Sequence, residues 1–500
     1  HRGIAMTVGG LDIGTSGCKI ALYNENAELL DTYYTEYGVS RKNGRHEIDF
    51  CDVRSGVLSL LRQAAEKHHI DALGVTSFGE TFALLDENDN ILAPSMLYTD
   101  PRGAEECRLL CEALGEEHIS ALTGTRPHPM YSISKIMWLK NNLPDAFKRA
   151  KRILLGEDYI VYLLTGRAQI DYSLAARTGA LDIRNKCWCE EIFKAAGVDI
   201  SLMSKPVTAG SYAGSIKEDI KRPLGISYDI KIINGCHDQV AAMLGACVLE
   251  SDRVMDGIGT VECIPAVLNE APQSFDFYRD GYSVVPFYNN KYACYALSFT
   301  GGAVLKWFRD SFAEQEREAA LKNGESVYAL LDKKAPRKPS GILVLPHFAG
   351  AATPYMDSAA KAAFAGITLE TTKYDIYRAL MEGTSYEMRV NLEKMESVSG
   401  KVNEIRATGG GAASDIWLQI KADILGKAVT ALNAPQVGAA GTAALAGAAI
   451  GIYGNIETAA EKMSPVRRVF YPNPENAQIY SEYYKKYAGL YSAIKGLGGI

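Results

Sequence analysis

Gly10-Leu11-Asp12-Ile13-Gly14-Thr15-Ser16-Gly17-Cys18-Lys19 lies in an apolar, strand-like context near the start of the chain. About half a chain later, Met255-Asp256-Gly257-Ile258-Gly259-Thr260 repeats its grammar. In both, an acidic residue is followed by a Gly-Thr pair at a tight turn, where bare backbone can approach an anion and the hydroxyl can bond it. Two such loops facing one another predict the phosphate tail of a nucleotide held between two lobes.

The text around each loop is also duplicated. Val8 to Tyr23 reads as one strand running through the loop into another, Asn24-Glu25-Asn26 as a turn, and Glu28 to Tyr34 as an alternating strand. Val261 to Leu268 is the matching strand after the second loop. Asp52 to His68 has helical periodicity, and the short strand Ala72 to Thr76 then ends at Ser77-Phe78-Gly79-Glu80. In the second half Tyr374 to Met395 reads as a long amphipathic helix, followed by the strand Glu404 to Thr408 and by Gly409-Gly410-Gly411. Helix, strand and glycine turn in the same order twice predict an α/β unit that has been duplicated. The join is expected where Ile232 to Gln239 runs from strand to loop and on into a small-residue helix, Val240 to Ala246. The two lobes are then 6–245 and 246–500.

Composition narrows the function. Five hundred residues exceed one core. A hydrophobic fraction of 47% with 22% charged residues is that of an ordinary soluble globular protein. A net charge of -6 weighs against a nucleic-acid or anionic-membrane partner, and the apolar stretches are too short or too glycine-rich to span a bilayer. Of the ten cysteines only Cys107/Cys111 and Cys187/Cys189 are close together, with no histidine at finger-like spacing. Reduced thiols in a cytoplasmic protein are the better reading. His1 to Ala5, ahead of Met6, reads as a tag remnant. The tyrosine-rich tail from Asn476 to Ile494 reads as a closing helix whose aromatic stripe belongs to the core.

Five stretches together resemble the FGGY family of carbohydrate kinases, within the actin-like ATPase superfamily. They are Asp12 to Ser16, Gly235-Cys236-His237-Asp238-Gln239, Gly257 to Thr260, Glu382-Gly383-Thr384-Ser385-Tyr386-Glu387-Met388-Arg389 and Thr408 to Ala412. The resemblance runs from about Val8 to Tyr491. It implies two duplicated ribonuclease H-like domains with a catalytic cleft between them, ATP and Mg²⁺ as cofactors, and phosphorylation of a sugar or polyol hydroxyl.

Each residue has its own chemical reason. Asp12 suits a magnesium ion, which prefers oxygen ligands and keeps several waters; a turn-capping aspartate is the alternative. Gly14, Thr15 and Ser16 offer N–H groups and hydroxyls to phosphate, and Lys19 lies where related kinases place a basic residue, although a solvated strand lysine reads the same way. Gly259 and Thr260 would bind the β- and γ-phosphate region from the other side, with the backbone of Gly302 at a helix start. Gly410 and Gly411 match the family's adenosine site. An asparagine is frequent there a few residues on; this chain has Ser414 and Asp415, either of which could contact adenine. Asp238 matches the family's catalytic base, which orients the acceptor hydroxyl and takes its proton; as a plain structural residue it would be a helix N-cap.

For the acceptor, Glu80 falls where the glycerol-kinase branch has a hydroxyl-binding glutamate. Tyr98, Asp100, Arg102, His128 and Gln239 complete the candidate set, Asp100 with Arg102 reading equally as a loop ion pair. Gly79, where an arginine is common, is expected to leave room for a pentulose or deoxyhexulose. A nucleotide-dependent switch ATPase of the same superfamily is the competing reading. A homodimer is the default for such an enzyme.

Overall fold

The computed structural model describes residues 5–497; the first four residues of the expected tag remnant lie outside them. Thirteen strands and six helices, labelled in chain order, build and position the site. The strands of the first sheet are β1 (Thr7–Ile13), β2 (Gly17–Asn24), β3 (Leu29–Glu36), β4 (Ala72–Ser77), β5 (Tyr212–Ser215) and β6 (Lys231–His237). Those of the second are β7 (Arg253–Ile258), β8 (Glu262–Leu268), β9 (Ser283–Pro286), β10 (Tyr292–Ser298), β11 (Glu404–Thr408), β12 (Ala428–Leu432) and β13 (Val466–Phe470). The helices are α1 (Phe50–Lys67), α2 (Asp238–Gly245), α3 (Gly302–Phe312), α4 (Lys373–Ser399), α5 (Asp415–Leu425) and α6 (Val437–Ala449).

Strand order shows the duplication directly. The first sheet runs β5-β6-β4-β1-β2-β3 and the second β9-β10-β8-β7-β11-β12-β13. In each, the loop strand pairs antiparallel with the next strand, that one pairs antiparallel with a third, and two parallel strands extend the other side. Only the margins differ: β9 is an extra edge, and the edge strand β5 precedes β6 in the chain whereas β13 follows β12. β1 and β4 are buried at nearly every position, as parallel strands covered on both faces must be.

Local chemistry sets the helices. Asp49 caps α1 by accepting from the Cys51 N–H, and Phe50, Val53, Val57, Leu60 and Leu61 form its buried face. Thr372 and Asp375 form a reciprocal capping box at the start of α4. The expected closing helix over 476–494 is two helices, Pro474–Tyr487 and Leu490–Lys495, with Tyr480 and Tyr487 buried. Among the described residues, no helix is long and apolar enough to cross a membrane.

Bare backbone joins the lobes. Helices α2 and α6 follow equivalent strands and pack on each other, so close that a Cβ on Gly245 would strike the Val437 carbonyl and one on Gly441 the Ala241 carbonyl. Helix α6 also lies on the first sheet, where Gly10 leaves room for the Ala439 carbonyl and the Thr442 hydroxyl meets that of Thr76 at 2.7 Å.

Candidate active site

Asp12, Lys19, Asp238 and Gln239 line one side of a cleft of about 240 Å³, and Pro435 to Ala439, at the start of α6, close the other. Asp12 and Lys19 are direct partners across β1 and β2, which puts carboxylate and ammonium on one face of the sheet. Loss of water in the cleft pushes the Asp12 carboxyl up to about 6, with Lys19 opposing the shift. The loop between them is a tight turn in which the Gly14 N–H donates to the Gly17 carbonyl at 2.9 Å. Thr15 is half-buried and Ser16 exposed at its tip.

Asp238 reaches the cleft through a bulge. Register on β6 shifts between Asn234, opposite Val75, and His237, opposite Ser77, so the bulge re-aims the residues at the strand end. Gly235 sits in the bulge, where a side chain would collide with the Val75 carbonyl. Asp238 is the first residue of α2 rather than its N-cap, a place His237 takes without a side-chain capping bond. The Asp238 carboxyl is pushed up to about 8 by desolvation and then by the charges of Asp12 and Glu80. Its side chain keeps 30% of its surface open, so the proton it favours can come from a ligand in the cleft.

Glu80 adopts a left-handed backbone, with φ at 66°. A non-glycine residue there costs on the order of 1–3 kcal/mol, and such strain clusters at binding sites. The Ser132 hydroxyl donates to the Glu80 carbonyl at 2.6 Å, and the Arg177 Nε donates to its carboxylate at 2.6 Å. Arg177 is buried and lies over the rings of Tyr131 and Tyr295. Burial alone would weaken its charge, but Glu80 outweighs that and holds its pKa above the usual value. Arg177 was missing from the sequence-based set because nothing in Ala175-Ala176-Arg177-Thr178 ties it to a residue 97 positions away.

The other acceptor candidates separate. Tyr98 is exposed, and its phenol is pushed up by partial desolvation and by the carboxylates of Glu80 and Asp238. Asp100 and Arg102 form the loop ion pair that the sequence offers as one of their two readings. Both Asp100 oxygens are taken, by the backbone of Arg102 and His46 and by the Arg102 guanidinium, which also reaches Glu47 at 2.6 Å. His128 lies exposed, with its Nδ1 accepting from the Met130 N–H. Gly79 leaves no extra room, since a Cβ there would meet Arg177 side-chain carbons at 3.1 Å and the His237 Nε2 at 3.3 Å.

Of the residues expected to hold the nucleotide, Gly259 and Thr260 are exposed. The N–H of Gly302 is not free, because it donates to the Gly259 carbonyl at 2.7 Å, while that of Gly301 donates to Thr260 at 2.9 Å. The start of α3 therefore braces the second loop instead of offering donors. Within Gly409-Gly410-Gly411, only Gly410 faces open space; Gly409 and Gly411 are bare because Ile258 packs against them. Ser414 caps α5 and donates to Asp332 at 2.8 Å, and Asp415 pairs with Arg467 and Arg468, so both side chains are committed within the protein. The stretch Glu382 to Met388 is buried in α4, with Glu382 held by Arg378, Ser340 and Tyr480; it builds the core of the second lobe.

The second loop also departs from the first. Asp12 pairs with Thr76 on β4, but it is Gly257 that pairs with Thr408 on β11, so Asp256 stands in the position of Leu11. One residue along a strand reverses the face. Asp256 accordingly points into the core, where the Lys421 Nζ lies 2.8 Å away and also meets Glu262.

Comparison with known proteins covers both lobes. Residues 7–245 match the N-terminal domain, and residues 258–450 the C-terminal domain, of the FGGY family of carbohydrate kinases. The gluconokinase of Bacillus subtilis is 30% identical over 434 residues, covering 83% of this chain and 82% of the relative. The xylulose kinase of Staphylococcus xylosus is 27% identical over 494 residues, covering 96% and 99%. The crystal structure of a gluconate kinase from Lactobacillus acidophilus superposes with a TM-score of 0.89 at 24% identity over 98% of each chain, a likeness of fold.

Proposed function

The chain belongs to the FGGY family of carbohydrate kinases, and from that premise we propose how it phosphorylates its acceptor. A sugar or polyol hydroxyl lies against Asp238, attacks the γ-phosphorus of ATP in line, and gives its proton to the Asp238 carboxylate as the bond to the bridging oxygen of ADP breaks. The observation that carries the reading is the convergence of Asp238 with Asp12 and Lys19 in one cleft, with Glu80 close enough to shift the Asp238 carboxyl. Gly14, Thr15 and Ser16 hold phosphate from the first lobe, Gly259 and Thr260 from the second, and Gly410 receives the adenosine.

Mg²⁺ fits the donors present. Among the described residues no cluster of three or more His, Cys, Asp or Glu could cage a metal. Magnesium in phosphoryl-transfer sites needs no cage; it takes one or two carboxylates and fills its shell with water and phosphate oxygens. Asp12 is the residue that would hold it, and the ion would neutralise charge on the phosphates.

Glu80 with Arg177 supplies an acceptor and a donor side by side, as adjacent hydroxyls require, and Tyr98 adds an aromatic face. In the form able to take a proton, three carboxylates, Asp12, Glu80 and Asp238, face two cations, Lys19 and Arg177. That balance favours an uncharged ketose or polyol over an aldonate. It also supplies an acceptor site that a switch ATPase would not need. The lobes are 6–245 and 246–500, the enzyme is cytoplasmic with its ten cysteines free, and its default assembly is a homodimer. A kinase screen over ketoses, polyols and aldonates, with product identification, tests the reading; turnover confined to aldonates would overturn the charge argument, and turnover with none of them would overturn the kinase assignment.

A further inference from the structure

Tyr295 belongs to the second lobe, on β10, yet its side chain works in the first. It is buried, and its hydroxyl lies 3.1 Å from the His237 Nδ1. The His237 Nε2 lies in turn 3.1 Å from the Asp238 Oδ1. The face of the same tyrosine ring receives the guanidinium of Arg177, 5.8 Å from its centroid, and Arg177 holds Glu80. One side chain of the ATP-side lobe thus touches the neighbour of each acceptor-site carboxylate, His237 beside Asp238 and Arg177 beside Glu80.

The Tyr295–His237 contact is a hydrogen bond, whereas Nε2 and Oδ1 stand at polar-contact distance without hydrogen-bond alignment; a chain of bonds closed through them can run in one direction. A carboxylate about to receive a proton can only accept hydrogen bonds, so the His237 Nε2 must carry hydrogen. A neutral imidazole protonated at Nε2 has a bare Nδ1, so the Tyr295 hydroxyl must donate. Burial, then the nearby charge of Arg177, hold His237 neutral well below its usual range. The imidazole is also anchored through its backbone, since the His237 N–H donates to the Ser173 hydroxyl at 3.0 Å and that hydroxyl donates to Asp171 at 2.7 Å.

We propose that Tyr295 and His237 are positioning residues: together they hold Oδ1 of Asp238, leaving Oδ2 to the acceptor hydroxyl, and they aim the base from the lobe that delivers the γ-phosphate. Strand β10 makes that link short, because it pairs with β8, which begins just past the second phosphate loop, and the chain turns beyond its end to Gly301 and Gly302 on that loop. The inference rests on Asp238 being the base.

The test is a double-mutant cycle on the full-length enzyme, with the best acceptor from the screen and saturating Mg-ATP. Tyr295→Phe keeps the ring under Arg177 and removes only the donor; it should lower kcat by about 2- to 10-fold, the range of a hydrogen bond between neutral groups, while the KM for acceptor and for ATP stays within about twofold. His237→Leu should lose a similar factor, and the double variant should be no worse than His237→Leu alone. His237→Gln, whose amide donates at one end and accepts at the other, should recover most of the rate; it also replaces His237→Leu in the cycle if the latter unfolds. Normal kcat in Tyr295→Phe, multiplying effects in the double variant, or a change confined to acceptor KM would overturn the relay. Asp238→Asn runs alongside: loss of turnover there with a normal Tyr295→Phe defeats the relay alone, whereas retained turnover defeats the base assignment and the relay with it.

Discussion

In the first lobe the carboxylate ahead of the Gly-Thr turn looks into the cleft beside Lys19. In the second, Asp256 looks into the core, where with Lys421 and Glu262 it forms an ionic triad with essentially no exposed surface. The backbone frames are the same, strand for strand, and the difference is one position along the strand: Asp12 stands two before its glycine and Asp256 three before Gly259. With a side-chain period of two, that shift moves the acid from a reagent's place to a core position that Leu11 fills in the other copy. Burial and the charge of Asp256 push the Glu262 carboxyl well up, and although burial would weaken Lys421, the two carboxylates hold its pKa above the usual value. The triad ties the two strands flanking the second loop to α5.

The strongest challenge to this contrast is Lys421→Met. It strands two buried acids, and unfolding by denaturant should show a loss of about 3–5 kcal/mol, with activity per folded molecule little changed. Replacing all three members with apolar residues of similar volume should restore most of that stability; a triple variant as unstable as the single would show that the triad is not a closed unit. Asp12→Asn should do the opposite, leaving the unfolding midpoint at or above the parent's at neutral pH while kcat/KM falls by about 10²–10³-fold and the magnesium dependence weakens. A variant of normal rate and normal magnesium titration would remove Asp12 from the site.

A smaller effect follows from the charge Asp12 presents to Asp238. Because the Asp238 carboxyl is raised to about 8, its basic form grows as pH rises, and kcat/KM should climb about tenfold per pH unit below that value and level above it. The stability sign runs the other way. A carboxyl whose pKa is higher folded than unfolded favours the folded state at low pH, and this contribution fades as pH rises from the ordinary aspartate value through about 8. Asp238→Asn should therefore unfold at a higher temperature than the parent at pH 8; an equal or lower midpoint at that pH would contradict the shift. Smallest of all, Ser414→Ala removes the α5 cap and should cost about 1 kcal/mol with the KM for ATP unchanged. A raised KM would return Ser414 to the nucleotide site.

Part of this was legible in the chain and part was not. Hydrophobic periodicity, turn residues and the repeated Gly-Thr phrase announced the strands and helices of both lobes, because those signals act between neighbours. The same text pointed to Asp12, Glu80 and Asp238, each at the end of a strand beside a glycine or a helix start. It could not tell Asp100 and Arg102 from ligands, since only the fold brings Glu47 and the His46 N–H to that pair. Nor could it find Arg177 or Tyr295, which meet their partners across about 100 and 58 positions of chain.

The sequence by itself determined that there are two copies of one α/β unit, each with a Gly-Thr turn, and that an aspartate stands at their junction. Only the tertiary structure decided which face each acid took, which glycines are bare for a ligand and which for packing, and which cations the carboxylates keep. The reason is physical: propensity and periodicity are set within a few residues, whereas the charge state and free valence of a buried group depend on atoms that distant segments bring to within about 3 Å.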